Sequence, residues 1–421
     1  MIRVSYTSIL FYLILISYKI LLGIIYTNFI SVVFQYAGFD FSTNINLFIL
    51  SWALYLSLIF LLKPQYHQPS EFFLFVFLIL IITPMLILME LGGKSQEFML
   101  FTVLCFILIK VILITPKIKI PRVKYGNAVV LTISAMIIIS TFLMFVVTGG
   151  ITKINFDLSR VYELREETAQ IYFGGGWGYI TPWATKIFIP FFLSLSLFYK
   201  RYGLSIIIII NQVLIFGITG HRSMALLSII ALGLYVTRNK ENKNLYIISL
   251  ITISLLFIYL FHIYYDDLII SSTIARRAFF LPSFLNYSYY EFFSNNDYIY
   301  YSNSILSQLS EYPYENIQLS HVIAGQVLGQ PEMSANTGFV GTSYAHAGFI
   351  GMIIISIFIA IVLKILDSTC KSDKHTWFYL SFASFPVLSM LTSAAFFTSL
   401  LTHGILLLIF ITWMYEYKEA D

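Results

Sequence analysis

The residues best suited to chemistry in this 421-residue chain are arginines and histidines sitting between apolar runs. Gly220-His221-Arg222-Ser223 joins two such runs, where a charge is costly and is usually paired or functional. An arginine fork stays charged at any relevant pH and matches a phosphate with two parallel hydrogen bonds, so Arg222 is a candidate anion ligand. A guanidinium snorkelling from a helix end is the alternative. Arg276 and Arg277 follow Asp266 and Asp267 and precede Ala-Phe-Phe-Leu-Pro, which offers a second anion site or pairing with those aspartates. Arg160 and Arg165 precede Gly174-Gly175-Gly176-Trp177-Gly178, whose glycines permit positive φ and close approach of a ligand, or merely a flexible loop.

For proton transfer, His346 in Tyr344-Ala345-His346-Ala347-Gly348 stands out. Histidine titrates near neutrality and can take a proton from a hydroxyl. Other candidates are His321, Asp157, Glu163, Glu166, Glu167, Glu291, Glu311 and Glu315. His262 and His403 fall inside apolar runs and read as helix-packing residues. There is no P-loop, zinc-ligand spacing or Gly-x-Ser-x-Gly elbow. Cys105 and Cys370 have no metal or redox spacing, so no cofactor and no metal is expected.

The elements that must position these residues are membrane spans. Hydrophobic residues make up 58% of the chain, charged residues 11%, and the mean hydropathy is +0.83. Soluble domains carry roughly 25% charged residues, and the net charge of +4 leaves no footprint for nucleic acid. A span needs about 20 apolar residues. Twelve runs qualify as candidates, near 8–32, 44–62, 72–90, 98–115, 127–147, 184–199, 204–219, 223–237, 245–264, 347–366, 376–396 and 399–415. The expected fold is therefore an all-α polytopic membrane protein forming one integral domain over 1–421. Its first run reads as a retained span, not a removed signal peptide.

Lys and Arg concentrate in one set of loops, including Lys117, Lys119, Lys124, Lys200, Arg201, Arg238, Lys240, Lys243 and Lys374. Their bias assigns that set, and both termini, to the cytoplasm. The arginines singled out above then lie outside, against the trend. Two outer segments exceed simple turns, 148–183 and 265–346, and loops of that length usually carry function. The second is rich in Tyr, suiting either the membrane interface or the apolar face of a sugar ring.

Taken in order, Gly220-His221-Arg222-Ser223, the run from Arg276 to Pro282, Tyr289-Tyr290-Glu291-Phe292-Phe293-Ser294, and Asn336-Thr337-Gly338-Phe339 through Tyr344 to Gly351 resemble the Wzy-type O-antigen and capsular repeat-unit polymerases. In the first half the likeness rests on topology and on the Arg165 to Gly176 spacing. The resemblance implies kinship with the O-antigen ligases, a GT-C-like architecture, and a site facing the periplasm from a bacterial inner membrane. It implies undecaprenyl-pyrophosphate-linked oligosaccharides as donor and acceptor, with a chain-length regulator and a flippase as partners. Arg222 with Arg276 or Arg277 would hold the departing diphosphate, supported by Arg160 and Arg165, and His346 would be the base. Two rivals predict other patterns. A flippase of the same lipid-linked saccharide would carry more in-span charge than Lys19 and Lys110, and a polysaccharide O-acyltransferase would carry an early His and Arg constellation.

Overall fold

The computed structural model describes residues 6–121, 123–157, 160–221, 223–266, 268–303, 307–308, 310–315, 317–370 and 372–416. Among them the secondary structure is helical, and the lone β-contact is an isolated bridge between Ser42 and Gly92. Among the described residues nine helices are long and apolar enough to cross a membrane: Tyr6–Val33, Pro69–Gly92, Gln96–Ile114, Gly126–Val147, Trp177–Phe198, Tyr202–Thr219, Lys243–Tyr265, Phe339–Thr369 and Phe396–Met414. The chain is thus a multi-pass membrane protein, and nine of the twelve expected runs form helices of spanning length. Runs 44–62, 223–237 and 376–396 fold as the shorter helices Ile45–Ile59, Ser223–Thr237 and Thr376–Thr392. At 1.5 Å per residue, 15 residues rise about 22 Å, short of a hydrocarbon core about 30 Å thick.

Local chemistry sets the helix ends. Pro69 occupies the first turn of its helix, where a missing N–H costs nothing, and the Glu71 carboxylate accepts from the His67 backbone N–H at 2.7 Å. The Ser70 backbone N–H donates to Asp367 Oδ1 at 2.9 Å, pinning that end to the Phe339–Thr369 helix. Three long helices widen into π turns just before a proline: Leu78–Ile82 before Pro84, Ala184–Phe188 before Pro190, and Ser272–Phe280 before Pro282. Proline removes one donor and crowds the preceding turn, so the ladder slips by one residue and leaves carbonyls to be satisfied from elsewhere. In the second of these turns Gln212 Nε2 donates to the Thr185 carbonyl at 2.8 Å, and Ser228 Oγ donates to Gln212 Oε1 at 2.8 Å.

The segment 265–346 is not a long outer loop throughout. Ile269–Ser271, Ser272–Phe280 and Leu281–Phe293 run on as one helical stretch wedged against the bundle. Phe279 and Phe280 pack on Tyr18 and Tyr26, while Ser283 Oγ and Tyr287 Oη donate to the carbonyls of Ile81 and Met85 at 3.0 and 3.1 Å. Tyr287 and Tyr289 are fully buried, so these tyrosines bind backbone and core, not the membrane interface. The segment 148–183 likewise holds the helix Val161–Phe173, and its last residues already belong to the Trp177–Phe198 helix.

Lys19, an in-span charge, is paired. Its Nζ lies 2.8 Å from Glu90 Oε2 and 3.0 Å from Ser51 Oγ, and sits 4.0 Å from the Trp52 ring centroid. Both ionic side chains are buried. Removing one partner of such a pair leaves an uncompensated charge, at a cost of about 3–5 kcal/mol. Glu90→Gln and Lys19→Met should each destabilise the detergent-solubilised protein by about that much in reversible unfolding, with most of the loss recovered in the Lys19→Met/Glu90→Leu double variant.

Candidate functional site

Lys186 is the counter-example to Lys19. It projects from the π turn Ala184–Phe188, is buried, and has no hydrogen bond or ion pair among the described residues. Its ammonium rests 4.3 Å from the centroid of the Phe385 ring. A second cation, Arg165, stands close enough to repel it. A bundle that neutralises Lys19 with Glu90 leaves Lys186 without a carboxylate, the arrangement expected where an anion is to be received.

Arg165 reaches this place from the Val161–Phe173 helix. Its Nε donates to the Gly220 carbonyl at 2.9 Å, which ties the segment after residue 148 to the Gly220-His221 turn. Gly220 closes the Tyr202–Thr219 helix at φ 70°, the left-handed geometry that glycine adopts without steric cost. The turn then directs His221 back under Phe173, with ring centroids 4.7 Å apart. Burial, followed by the charges of Lys186 and Arg165, pushes the His221 imidazole down to about 3, so the ring is neutral at physiological pH. That depression adds stability fully present above the ordinary histidine value near 6.5 and lost as pH falls from there toward 3. Arg222, the next residue, lies outside the described residues. An apolar cluster of Phe145, Tyr172, Ile215, Ile218 and Met224 supports this group from below.

Beside the cations lies a polar cleft of about 740 Å³. Its walls come from the end of the Leu281–Phe293 helix, from 302–303 and 312–320, from 336–342, and from 393–403. Hydroxyls and amides dominate, among them Tyr289, Asn303, Gln318, Asn336, Thr337 and Thr398, with Glu315 the one carboxylate among the described lining residues. His403 also lines it, and its ring lies 5.2 Å from Phe385, the ring that carries Lys186 on its face. One aromatic side chain therefore separates the cleft from the uncompensated cation.

Ser389 Oγ lies 3.0 Å from the Pro386 carbonyl and 2.7 Å from His403 Nδ1. When the serine proton is on the carbonyl, the imidazole donates from Nδ1 and Nε2, which has no hydrogen-bond partner among the described residues, bears the lone pair. A neutral imidazole held this way in a polar cleft can accept a proton from a hydroxyl.

His346 has the opposite arrangement. Non-helical backbone at Ala347 and Gly348 kinks the Phe339–Thr369 helix and turns out the carbonyls of Ala345 and His346, which accept the N–H groups of Ile299 and Tyr300 at 3.0 Å each. His346 Nδ1 accepts from the Tyr301 N–H at 3.1 Å, and the Tyr301 ring stacks on the imidazole at 4.1 Å. That ring is buried behind Tyr301, does not line the cleft, and has its acceptor nitrogen occupied. It clamps the 299–301 strand of chain onto the bundle.

The remaining arginines are dispersed. Arg160 makes a two-point contact with Glu163 at 2.9 Å on an exposed surface, which holds the Glu163 carboxyl below its ordinary range. Arg276 lies 4.2 Å over the Phe34 ring and donates from Nε to Ser272 Oγ at 3.2 Å. It and the adjacent Arg277 belong to the π segment Ser272–Phe280, which packs on the Lys243–Tyr265 helix, and no contact joins Arg276 to Arg165, Lys186 or the cleft. Of the residues singled out in the sequence, the structure brings Arg165 to the Gly220-His221 turn; it adds Lys186, which the sequence places at the start of the 184–199 run, and His403, which hydropathy assigns to the interior of a run.

No protein-family model, no curated protein and no solved structure matches this chain.

The cation group should bind pyrophosphate. In thermal unfolding of the purified protein, pyrophosphate should raise the midpoint of the wild type, and Lys186→Ala should weaken that protection by at least about tenfold in Kd, on the order of 1.4 kcal/mol. Arg160→Ala, which breaks only an exposed pair, should leave it unchanged.

Proposed function

We propose that this protein is an inner-membrane glycosyltransferase that polymerises undecaprenyl-pyrophosphate-linked oligosaccharide repeat units into O-antigen or capsular polysaccharide at the periplasmic face. The observation that carries the proposal is the placement of a buried Lys186, with no ion pair among the described residues, one ring away from a polar cleft that holds a histidine whose Nε2 has no hydrogen-bond partner among them. Such a pair suits a reaction in which a hydroxyl loses a proton while a diphosphate departs. The sequence resemblance supplies the substrate class.

The growing glycan on undecaprenyl pyrophosphate is the donor, and a single lipid-linked unit is the acceptor. An acceptor hydroxyl in the cleft attacks the anomeric carbon of the donor while His403 Nε2 takes its proton. The bond from that carbon to the diphosphate oxygen breaks, and the electron pair leaves on the diphosphate. Negative charge growing there is met by Lys186, Arg165 and Arg222, whose attraction is strengthened in a water-poor bundle. Attack opposite the leaving group inverts the anomeric configuration. The donor arrives activated, so the residues named here account for the proton and the charge, and the cleft supplies orientation. Both termini face the cytoplasm in this reading, and a chain-length regulator and the flippase are its partners.

The test is complementation of a strain lacking the gene, with surface glycan resolved by size. His403→Ala, Lys186→Ala and Arg222→Ala should collapse the ladder to a single lipid-linked unit while the protein remains inserted, since losing a general base lowers rate about 10²–10⁴-fold. Arg222→Lys should also fail, because a point charge does not reproduce the fork. His346→Asn, which keeps an acceptor for the Tyr301 N–H, should retain the long chains. A full-length ladder in His403→Ala, or its collapse in His346→Asn, contradicts the assignment.

A further inference from the structure

The Thr376–Thr392 helix and its C-cap link two different hollows. Its C-terminal end meets the polar cleft at Ser393, while Trp377 at its start lines a second hollow of about 1040 Å³. This hollow opens at the end that the Lys and Arg bias assigns to the cytoplasm. Five basic side chains line it, Lys200, Arg238, Lys240, Lys243 and Lys374, against one carboxylate among the described residues, Glu241. A topological bias explains basic residues on that side, but it does not explain why three separate segments gather them around one concavity with aromatic walls. Arg238 is fixed over the Tyr235 ring at 3.7 Å, with one guanidinium nitrogen donating to the Tyr235 carbonyl at 2.7 Å. Tyr235 in turn meets Trp377 at 5.0 Å.

Directly beside it, between the helices Pro69–Gly92, Ser223–Thr237 and Lys243–Tyr265, runs an apolar groove of about 430 Å³. The walls of the two hollows touch. Lys240 of the basic hollow reaches to 5.7 Å from the ring of Tyr246, which lines the groove, and Tyr66 of the hollow packs edge-on at 5.4 Å against Phe72 of the groove. Gly233 faces the groove, and a side chain placed there would meet no atom within 4 Å. A cationic chamber adjoining an apolar slot between membrane helices has the shape and charge of a phospholipid, and basic pockets between transmembrane helices on the cytoplasmic side are known to hold anionic headgroups.

We infer that this end of the protein holds one anionic phospholipid of the adjacent leaflet, its phosphate among Arg238, Lys240 and Lys374 and an acyl chain in the groove beside Gly233. The site lies at the opposite end of the bundle from the cleft and is independent of the polymerase reading.

The inference is tested on the full-length protein reconstituted in nanodiscs of mixed phosphatidylcholine and phosphatidylglycerol, with retained lipid counted by native mass spectrometry after gentle release. Wild type should keep one phosphatidylglycerol in preference to phosphatidylcholine. Arg238→Ala/Lys240→Ala should lose that preference by about tenfold or more, given the strength of basic residues near an anionic surface. Gly233→Leu, which fills the slot, should also lose the lipid with an unchanged melting midpoint. Leu250→Trp, filling the slot from the facing helix, serves if the glycine variant does not fold. Equal retention in the basic double variant overturns the inference. Loss in that variant with full retention in both slot-filling variants means that the hollow takes a headgroup or free phosphate alone, which overturns the lipid as occupant.

Discussion

An ammonium group buried in a helical bundle without a counter-charge is the constraint on which the rest of the structure turns. Taking a charge out of water costs several kcal/mol even after relaxation, and a protein usually pairs it or keeps it at the surface. This chain does both elsewhere: Lys19 is closed off with Glu90, Ser51 and Trp52, and Arg160 spends itself on Glu163 in solvent. Among the described residues Lys186 has no carboxylate partner and rests on the face of Phe385. The surrounding elements keep it there. The π turn ahead of Pro190 positions it, Gln212 and Ser228 satisfy the carbonyl which that turn releases, and Arg165 pins the Gly220-His221 turn beside it.

The second dependence is on tautomers. Two histidines belong to the same end of the bundle, and their neighbours give them opposite states. Tyr301 donates its backbone N–H to His346, so the acceptor nitrogen of that ring is consumed by structure. His403 Nδ1 contacts only a serine hydroxyl among the described residues, and with the Ser389 proton on the Pro386 carbonyl its Nε2 is left as the acceptor.

Much of the scaffold was legible in the sequence because long apolar runs have one physical explanation. All twelve runs became helices, and nine are long enough to cross. The Ile269–Phe293 stretch was not legible. Its Ser283 and Tyr287 look solvated until their hydroxyls are seen bonding the carbonyls of Ile81 and Met85, and that information belongs to another helix. The same holds at the site. Arg165 was recognisable from its charge in an outer segment. His403 sits inside an apolar run, where hydropathy assigns packing, and Lys186 at the start of one; their importance depends on the side chains packed around them, Phe385 for Lys186 and Ser389 for His403, which belong to another helix. Arg276 and Arg277, prominent in the sequence, lie in the π segment of another flank.

The most direct measurement is turnover by the purified protein in proteoliposomes supplied with the lipid-linked repeat unit, following polymer and released undecaprenyl pyrophosphate together. The account predicts that wild type yields both in equal molar increments and that Lys186→Ala, still folded by its melting midpoint, loses at least about 10²-fold in rate, in line with loss of one preorganised charge at a developing anion. Turnover by Lys186→Ala at the wild-type rate, or no release of the diphosphate carrier by wild type, would contradict it.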